Sequence, residues 1–308
     1  MDQDIFLTTL YVMIDDFCQS HGFHEKHRPG PAASLSCSEV VTLAVFGQWV
    51  QFPSERAFYR YAVGHLRPAF PSLPDREQFN RLQRLYRDAI VAFSLCLVQQ
   101  IQAQQCLYEA LDSSGIATRD AKRRGTGWLA GQADIGWSNR IGWSEGFHLL
   151  TSITPLGVIT GFGFAAASCN DHVLADTFLA ARAQSSPCLS SVGAPAQGVY
   201  VADKGFAGDQ VHRHWQASYG AVVVSPPHQR SKVRWFKDWR RWLAGLRQII
   251  ETIYDKLLNT FRLACERPHA LDGFQARLAA KVALHNFCIW LSVQLGREPL
   301  AFADLLEW

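Results

Sequence analysis

The first hundred residues carry their apolar side chains at the period of a helix. Between Asp4 and Cys18, Ile5, Leu7, Leu10, Val12, Ile14 and Phe17 recur at helical spacing and predict an amphipathic helix. Ser36 with Glu39 gives a capping box, which starts a second helix running to about Gln51. Phe52-Pro53-Ser54 breaks it, and Ser54 caps a short third helix through about Val63. Pro68, Pro71 and Pro74 make a stiff connector before Asp75 and Gln78, the next capping signal. A long helix follows, roughly Arg76 to Gln104. Residues 1–104 therefore read as an all-α N-terminal domain. Its helix-turn-helix-like spacing around Ser54 to Tyr61 fits either DNA-end binding or a plain helical bundle.

From Cys106 onward the pattern changes to short β-prone runs between glycine-rich turns. Tyr108 to Asp112 is the first, halting in Ser113-Ser114-Gly115. Phe147 to Thr154 and Val158 to Ala165 are two more, joined through Pro155-Leu156-Gly157 as a hairpin. Asn170-Asp171-His172 then opens a helix to about Ala183. A fourth strand, ending at Ala202, precedes a helix near Asp209 to Ser218, and Ala221 to Val224 is the fifth. Residues 105–308 thus read as an α/β domain, a mixed five-stranded sheet with flanking helices.

Composition narrows the class. The 308 residues are 48% hydrophobic and 19% charged, the balance of a soluble globular protein rather than a disordered one. The longest apolar run, Ala89 to Val98, is too short to span a bilayer. Asp2 and Asp4, without a basic stretch, do not read as a signal peptide, so a cytoplasmic protein is expected. Eight cysteines without a C-x-x-C pair point to neither a zinc knuckle nor a disulfide framework. The net charge of +3 permits nucleic-acid binding without arguing for it, so the distribution of charge matters more.

Chemistry concentrates in three acids. Period-two geometry puts Tyr108, Ala110 and Asp112 on one strand face, with the Asp112 carboxylate at the C-terminal tip. Val199 to Phe206 repeats the design: an apolar strand, Asp203, then a glycine turn. Glu251 lies on a helix whose buried stripe is Leu246, Ile249, Ile250, Ile253, Leu257 and Phe261, and Arg247 shares the face of Glu251. Taken singly, Asp112 also fits an Asx-turn or helix cap, and Glu251 a solvated partner for Arg247. Together, two strand-end aspartates and one helical glutamate supply the oxygen ligands of a two-metal phosphoryl-transfer site.

Leu111-Asp112-Ser113, Ala202 to Phe206 and Arg247 to Thr252 resemble the three acidic blocks of DDE transposases from bacterial insertion sequences, nearest the IS-four-like branch. Leu35 to Leu43 resembles that group's N-terminal block, so the likeness covers nearly the whole chain. The resemblance implies an RNase H-like core whose first and fourth strands lie side by side. It further implies catalysis by Asp112, Asp203 and Glu251 with two Mg²⁺ or Mn²⁺ ions, acting on terminal inverted repeats and target DNA. Paired ends imply a homodimer. Asp171 and His172 resemble a cluster beside the family's site, although helix capping explains Asp171 equally. A nuclease of the same fold without strand transfer, and an inactive DNA-binding remnant, are the other readings.

Cations are spread where DNA phosphates would pass. Lys122, Arg123 and Arg124 follow the first aspartate, and Lys204 follows the second. Arg230, Lys232, Arg234, Lys237, Arg240 and Arg241 stand against one acid, Asp238, with Trp235, Phe236, Trp239 and Trp242 interleaved. Cations contact phosphates and aromatic faces stack on splayed bases, though an amphipathic helix burying its tryptophans has the same composition. Arg247 fits the group's signature, whose tyrosine place holds Ala244 and whose lysine place holds Leu258. Arg262, about 20° from Glu251 around a continuous helix, is the expected substitute for that lysine.

Overall fold

The computed structural model describes residues 1–23, 33–120, 129, 131–138, 140–184, 198–227, 235–302 and 305–307. In chain order its elements are α1 (Gln3–Ser20), α2 (Cys37–Phe46), α3 (Glu55–Tyr61), α4 (Arg76–Leu85) and α5 (Arg87–Gln100), then β1 (Glu109–Asp120) and β2 (Asp134–Ser138). There follow β3 (Gly142–Ile153), β4 (Ile159–Ala166), α6 (Asp171–Ala183), β5 (Val199–Ala202), α7 (Asp209–Tyr219), β6 (Val222–Val224), α8 (Lys237–Asp255) and α9 (Leu271–Gln294). They form two compact units. Met1–Leu97, Leu257–Leu263 and Pro268–Trp308 make one, and Val98–Lys256 with Ala264–Arg267 the other. No helix among the described residues is long and apolar enough to cross a membrane.

The first unit is helical. The expected capping box forms at α2: Ser36 N donates to Glu39 Oε2 at 2.7 Å and Glu39 N to Ser36 Oγ at 3.2 Å. That helix stops at Phe46, short of Gln51, where Gly47 lies against the Phe58 ring too closely for a Cβ. The long helix expected over 76–104 is two helices meeting at buried Tyr86. α4 buries a narrow face (Phe79, Leu82), whereas α5 is buried on most of its turns, and the break lets each meet its own neighbours. α9, grouped by the sequence pattern with the α/β domain, packs on α2 and α4 instead. Its many-sided apolar surface needs partners all round, and Phe287 meets Phe6 of α1 edge-on at 5.2 Å.

The second unit is an RNase H-like α/β core. Its sheet has six strands in the order β2-β3-β1-β5-β6, with β4 also on β3. The strand beyond the expected five is β2, a short run of mixed polarity interrupted by Gly136. It pairs with Gly142–Gly146 of β3, and β4 with Phe147–Ile153, so the two follow one another along the same edge. β1 runs antiparallel to β3 and parallel to β5, and β5 parallel to β6. One sheet face carries Leu111, Leu150, Tyr200 and Ala202 against Leu174, Phe178 and Leu179 of α6 and Trp215 of α7.

A buried ion pair fastens α6 to the start of β1. Glu109 and Arg182 are 0% and 1% exposed, and Arg182 Nη1 and Nη2 donate to Oε2 and Oε1 respectively. Nη1 also donates to Ser152 Oγ at 2.8 Å, while the guanidinium lies 5.5 Å from the Phe178 ring and 5.6 Å from Tyr200. Arg182→Met would strand the Glu109 charge in the core, with an expected loss of about 3–5 kcal/mol in unfolding free energy. Adding Glu109→Leu should restore most of it, because no charge is then left alone. Urea unfolding of the single and double variants measures both, and equal losses would refute the pairing argument.

Candidate active site

The register of the parallel strands brings the two aspartates together. β1 and β5 pair through Glu109↔Tyr200, Ala110↔Val201 and Leu111↔Ala202, and the next residue on each strand is an aspartate. Leu111 and Ala202 point into the α6–α7 core, so alternation turns Asp112 and Asp203 to the opposite face. Asp203 ends its strand as expected, leading into a short helical turn, Lys204–Phe206. Asp112 does not. β1 continues through Ser113-Ser114-Gly115 to Asp120, because β3 pairs with it from Ala110↔Ile153 to Asp120↔Ser144. The first aspartate is therefore mid-strand, at the point where β5 leaves the sheet.

α8 covers this place. A small cleft is lined by Asp112, Asp203, Arg247 and Glu251, with Val201, Leu246 and Ile250 as its apolar wall. Arg247 Nη1 lies 3.4 Å from Asp203 Oδ1, so the arginine pairs across to the strand. Burial, then the nearby Asp203 and Asp171 charges, push the Asp112 carboxyl up to about 7, against the pull of the Ser113 amide and Arg247. A family model described as a transposase DDE domain matches residues 110–287, a span that holds all three acids. The chain belongs to that family. Neither a curated protein nor a solved structure gives a match.

Around the acids of this transposase domain stand several supporting side chains. Asn170, not Asp171, caps α6, accepting from the His172 amide at 2.8 Å. Asp171 is thereby free to reach the sheet, where Ser113 Oγ donates to its Oδ1 at 2.7 Å and His148 Nε2 lies 3.3 Å away. A Cβ on Gly205 would sit 3.5 Å from Asp171 Oδ2, so this acid also underlies the turn after Asp203. His172 goes elsewhere, its ring meeting Trp215 of α7 edge-on at 6.0 Å. Tyr254, on α8, donates its hydroxyl proton to the Asp112 carbonyl at 2.8 Å. Burial, and then the Asp112 charge, hold that phenol well above its ordinary range. His148 gave no signal beyond lying in a strand, and Tyr254 none beyond falling beside the buried stripe of the helix.

The cations of the transposase domain divide. Lys122, Arg123, Arg124, Arg230, Lys232 and Arg234 lie outside the described residues. Lys204 is exposed on the turn after Asp203, and Lys237, Arg240 and Arg241 are exposed on the first turns of α8. Phe236, Trp239 and Trp242 are also exposed, at 81%, 54% and 38%, so they are not the buried tryptophans of an ordinary amphipathic helix. Arg262 does not follow Glu251 around one helix. α8 ends at Asp255, a wide turn spans Lys256–Thr260, and Arg262 has a left-handed φ of 57° in the helical unit. Leu258, at the lysine place, is 2% exposed in that unit's core.

Among the described residues no three His, Cys, Asp or Glu side chains stand close enough together to hold a metal as they are. The donor set nevertheless suits a hard cation. Three carboxylates face one cleft, and burial raises the Asp112 carboxyl there.

That raised carboxyl has a sign that can be tested. An unfolded Asp ionises near pH 4, so the folded chain holds the extra proton up to about 7. The associated stability is present in full below about pH 4 and lost as pH rises through about 7. In metal-free buffer at pH 8, Asp112→Asn should therefore melt several degrees above the parent, with the gap closing toward pH 4. Thermal melts across that range check it, and a gap independent of pH would refute the assignment.

Proposed function

We propose that this protein is an insertion-sequence transposase of the IS-four-like kind, which cleaves element ends and joins them to target DNA. The observation that carries the reading is the single cleft shared by Asp112, Asp203, Glu251 and Arg247, inside the span of the family match. Asp112, Asp203 and Glu251 would hold two Mg²⁺ or Mn²⁺ ions, whose chemistry is to activate the attacking water or 3′-hydroxyl and stabilise the leaving oxygen. Arg247, half exposed and held by one long ion pair, is the cation of the cleft that can turn to a scissile phosphate. The apolar wall of Val201, Leu246 and Ile250 limits water around that phosphate.

DNA reaches the cleft along α8. Lys237, Arg240, Arg247 and Glu251 fall within about 80° around the helix, and all four are exposed. They make a line about 21 Å long that leads cations to the acid. In the helical unit, Arg56 and Arg60 are exposed one turn apart on α3, which supports an end-reading role for residues 1–104. Two paired ends call for at least two copies of the chain on the DNA.

Asp112→Ala, Asp203→Ala and Glu251→Ala should each abolish cleavage of an element-end duplex while leaving its binding nearly intact. Mn²⁺ should support the parent reaction and EDTA should stop it. Near-parental cleavage by any one variant removes that residue from the site, and full activity in chelator removes the metal mechanism. Separately, Lys237→Ala with Arg240→Ala should weaken binding to any duplex alike and flatten the log–log salt dependence by about 2. A salt slope unchanged in a filter-binding titration would take α8 off the DNA path.

A further inference from the structure

Tyr254 follows Glu251 by one turn of α8 and is buried against the sheet. Its hydroxyl stands at a junction of three elements. It donates to the Asp112 carbonyl of β1 at 2.8 Å and accepts from Thr151 Oγ1 of β3 at 3.0 Å, with the Leu149 carbonyl 3.5 Å away. Thr151 is itself the residue paired with Asp112 across the β1–β3 ladder. One phenol thus touches the backbone of the first acid from a helix that carries the third.

Apart from the Arg247–Asp203 ion pair and the edge-on contact of Trp242 with Tyr108, the contacts of α8 on this side are of another kind. Leu246, Ile250 and Ile253 are apolar, and such contacts oppose separation of helix and sheet far more than sliding. A hydrogen bond has direction and a fixed length, so it sets where along the strand the helix stops. A slip of one residue would move Glu251 by about 1.5 Å along the helix axis. Displacements near 1 Å at a reacting centre are enough to lower rates about 100-fold.

We propose that Tyr254 is a positioning residue of the acid site, whose hydroxyl fixes the placement of Glu251 relative to Asp112. This rests on the reading of Asp112, Asp203 and Glu251 as the metal-holding acids. Tyr254→Phe removes the hydroxyl and little else. Tyr200→Phe is the matched control, since its hydroxyl is equally buried, in the same unit, and has no partner among the described residues.

The test uses the full chain and two readouts: the Mn²⁺ concentration that gives half of the metal-induced rise in melting temperature, and the rate of end cleavage. Tyr254→Phe should raise the half-saturating Mn²⁺ about 10-fold, the size of effect seen when a support behind metal ligands is lost, and slow cleavage by at least as much. Tyr200→Phe should leave both at parental values, and Glu251→Gln should lose both. An unchanged metal response in Tyr254→Phe, with Glu251→Gln still losing it, overturns the positioning role alone. Equal losses in Tyr254→Phe and Tyr200→Phe overturn it too, as general loosening of the core. A parental metal response in Glu251→Gln overturns the acid assignment and the positioning role with it.

Discussion

The parallel register of β1 on β5 is the constraint from which the site follows. Pairing ends at Leu111↔Ala202, and both strands then place an aspartate at the next position. Neighbouring strands are about 4.8 Å apart, so two carboxylates are forced together on the face that α8 covers. A slip of one residue would send Asp203 into the apolar cluster of Trp215, Leu174 and Phe178. The register is in turn held from the other side by the Glu109–Arg182 pair and by the apolar cluster beneath it. Burial of one carboxyl beside another is the consequence, visible in the raised Asp112 carboxyl and in the arginine that Asp203 attracts.

What the sequence made legible was local. The Ser36–Glu39 box, the turn after Asp203 and the Asn170-led helix each depend on residues within a few positions of one another, and each forms. The three acids were found because their order along the chain is itself a signal. Where the reading failed, a distant partner outweighed a local preference. Ser113-Ser114-Gly115 has the composition of a turn, yet the ladder to β3 keeps it extended. No cap or breaker announces the bend at Tyr86. The projection from Glu251 to Arg262 assumed one helix, and the wide turn after Asp255 breaks that assumption.

The contacts of the supporting side chains were illegible for the same reason. Asp171 meets Ser113 across 58 positions, and Tyr254 meets Asp112 across 142. Single-sequence periodicity marks a helix face as buried without naming what lies against it. A tyrosine beside an apolar stripe looks like packing until the fold shows that its hydroxyl has a carbonyl to reach.

β1 also leaves part of one flank without a partner strand among the described residues. Beyond Leu111 it runs on to Asp120 with β3 along one flank, and no described strand pairs with the other. A long free flank of this sort is where sheets of separate molecules can join edge to edge. Two carbonyls on that flank already accept from side chains: Gly115 from Arg140 at 3.0 Å, and Ala117 from Arg267 at 3.5 Å. A foreign strand would have to strip away two guanidinium groups before it could add. The overhang is thus guarded against aggregation by the chain's own donors.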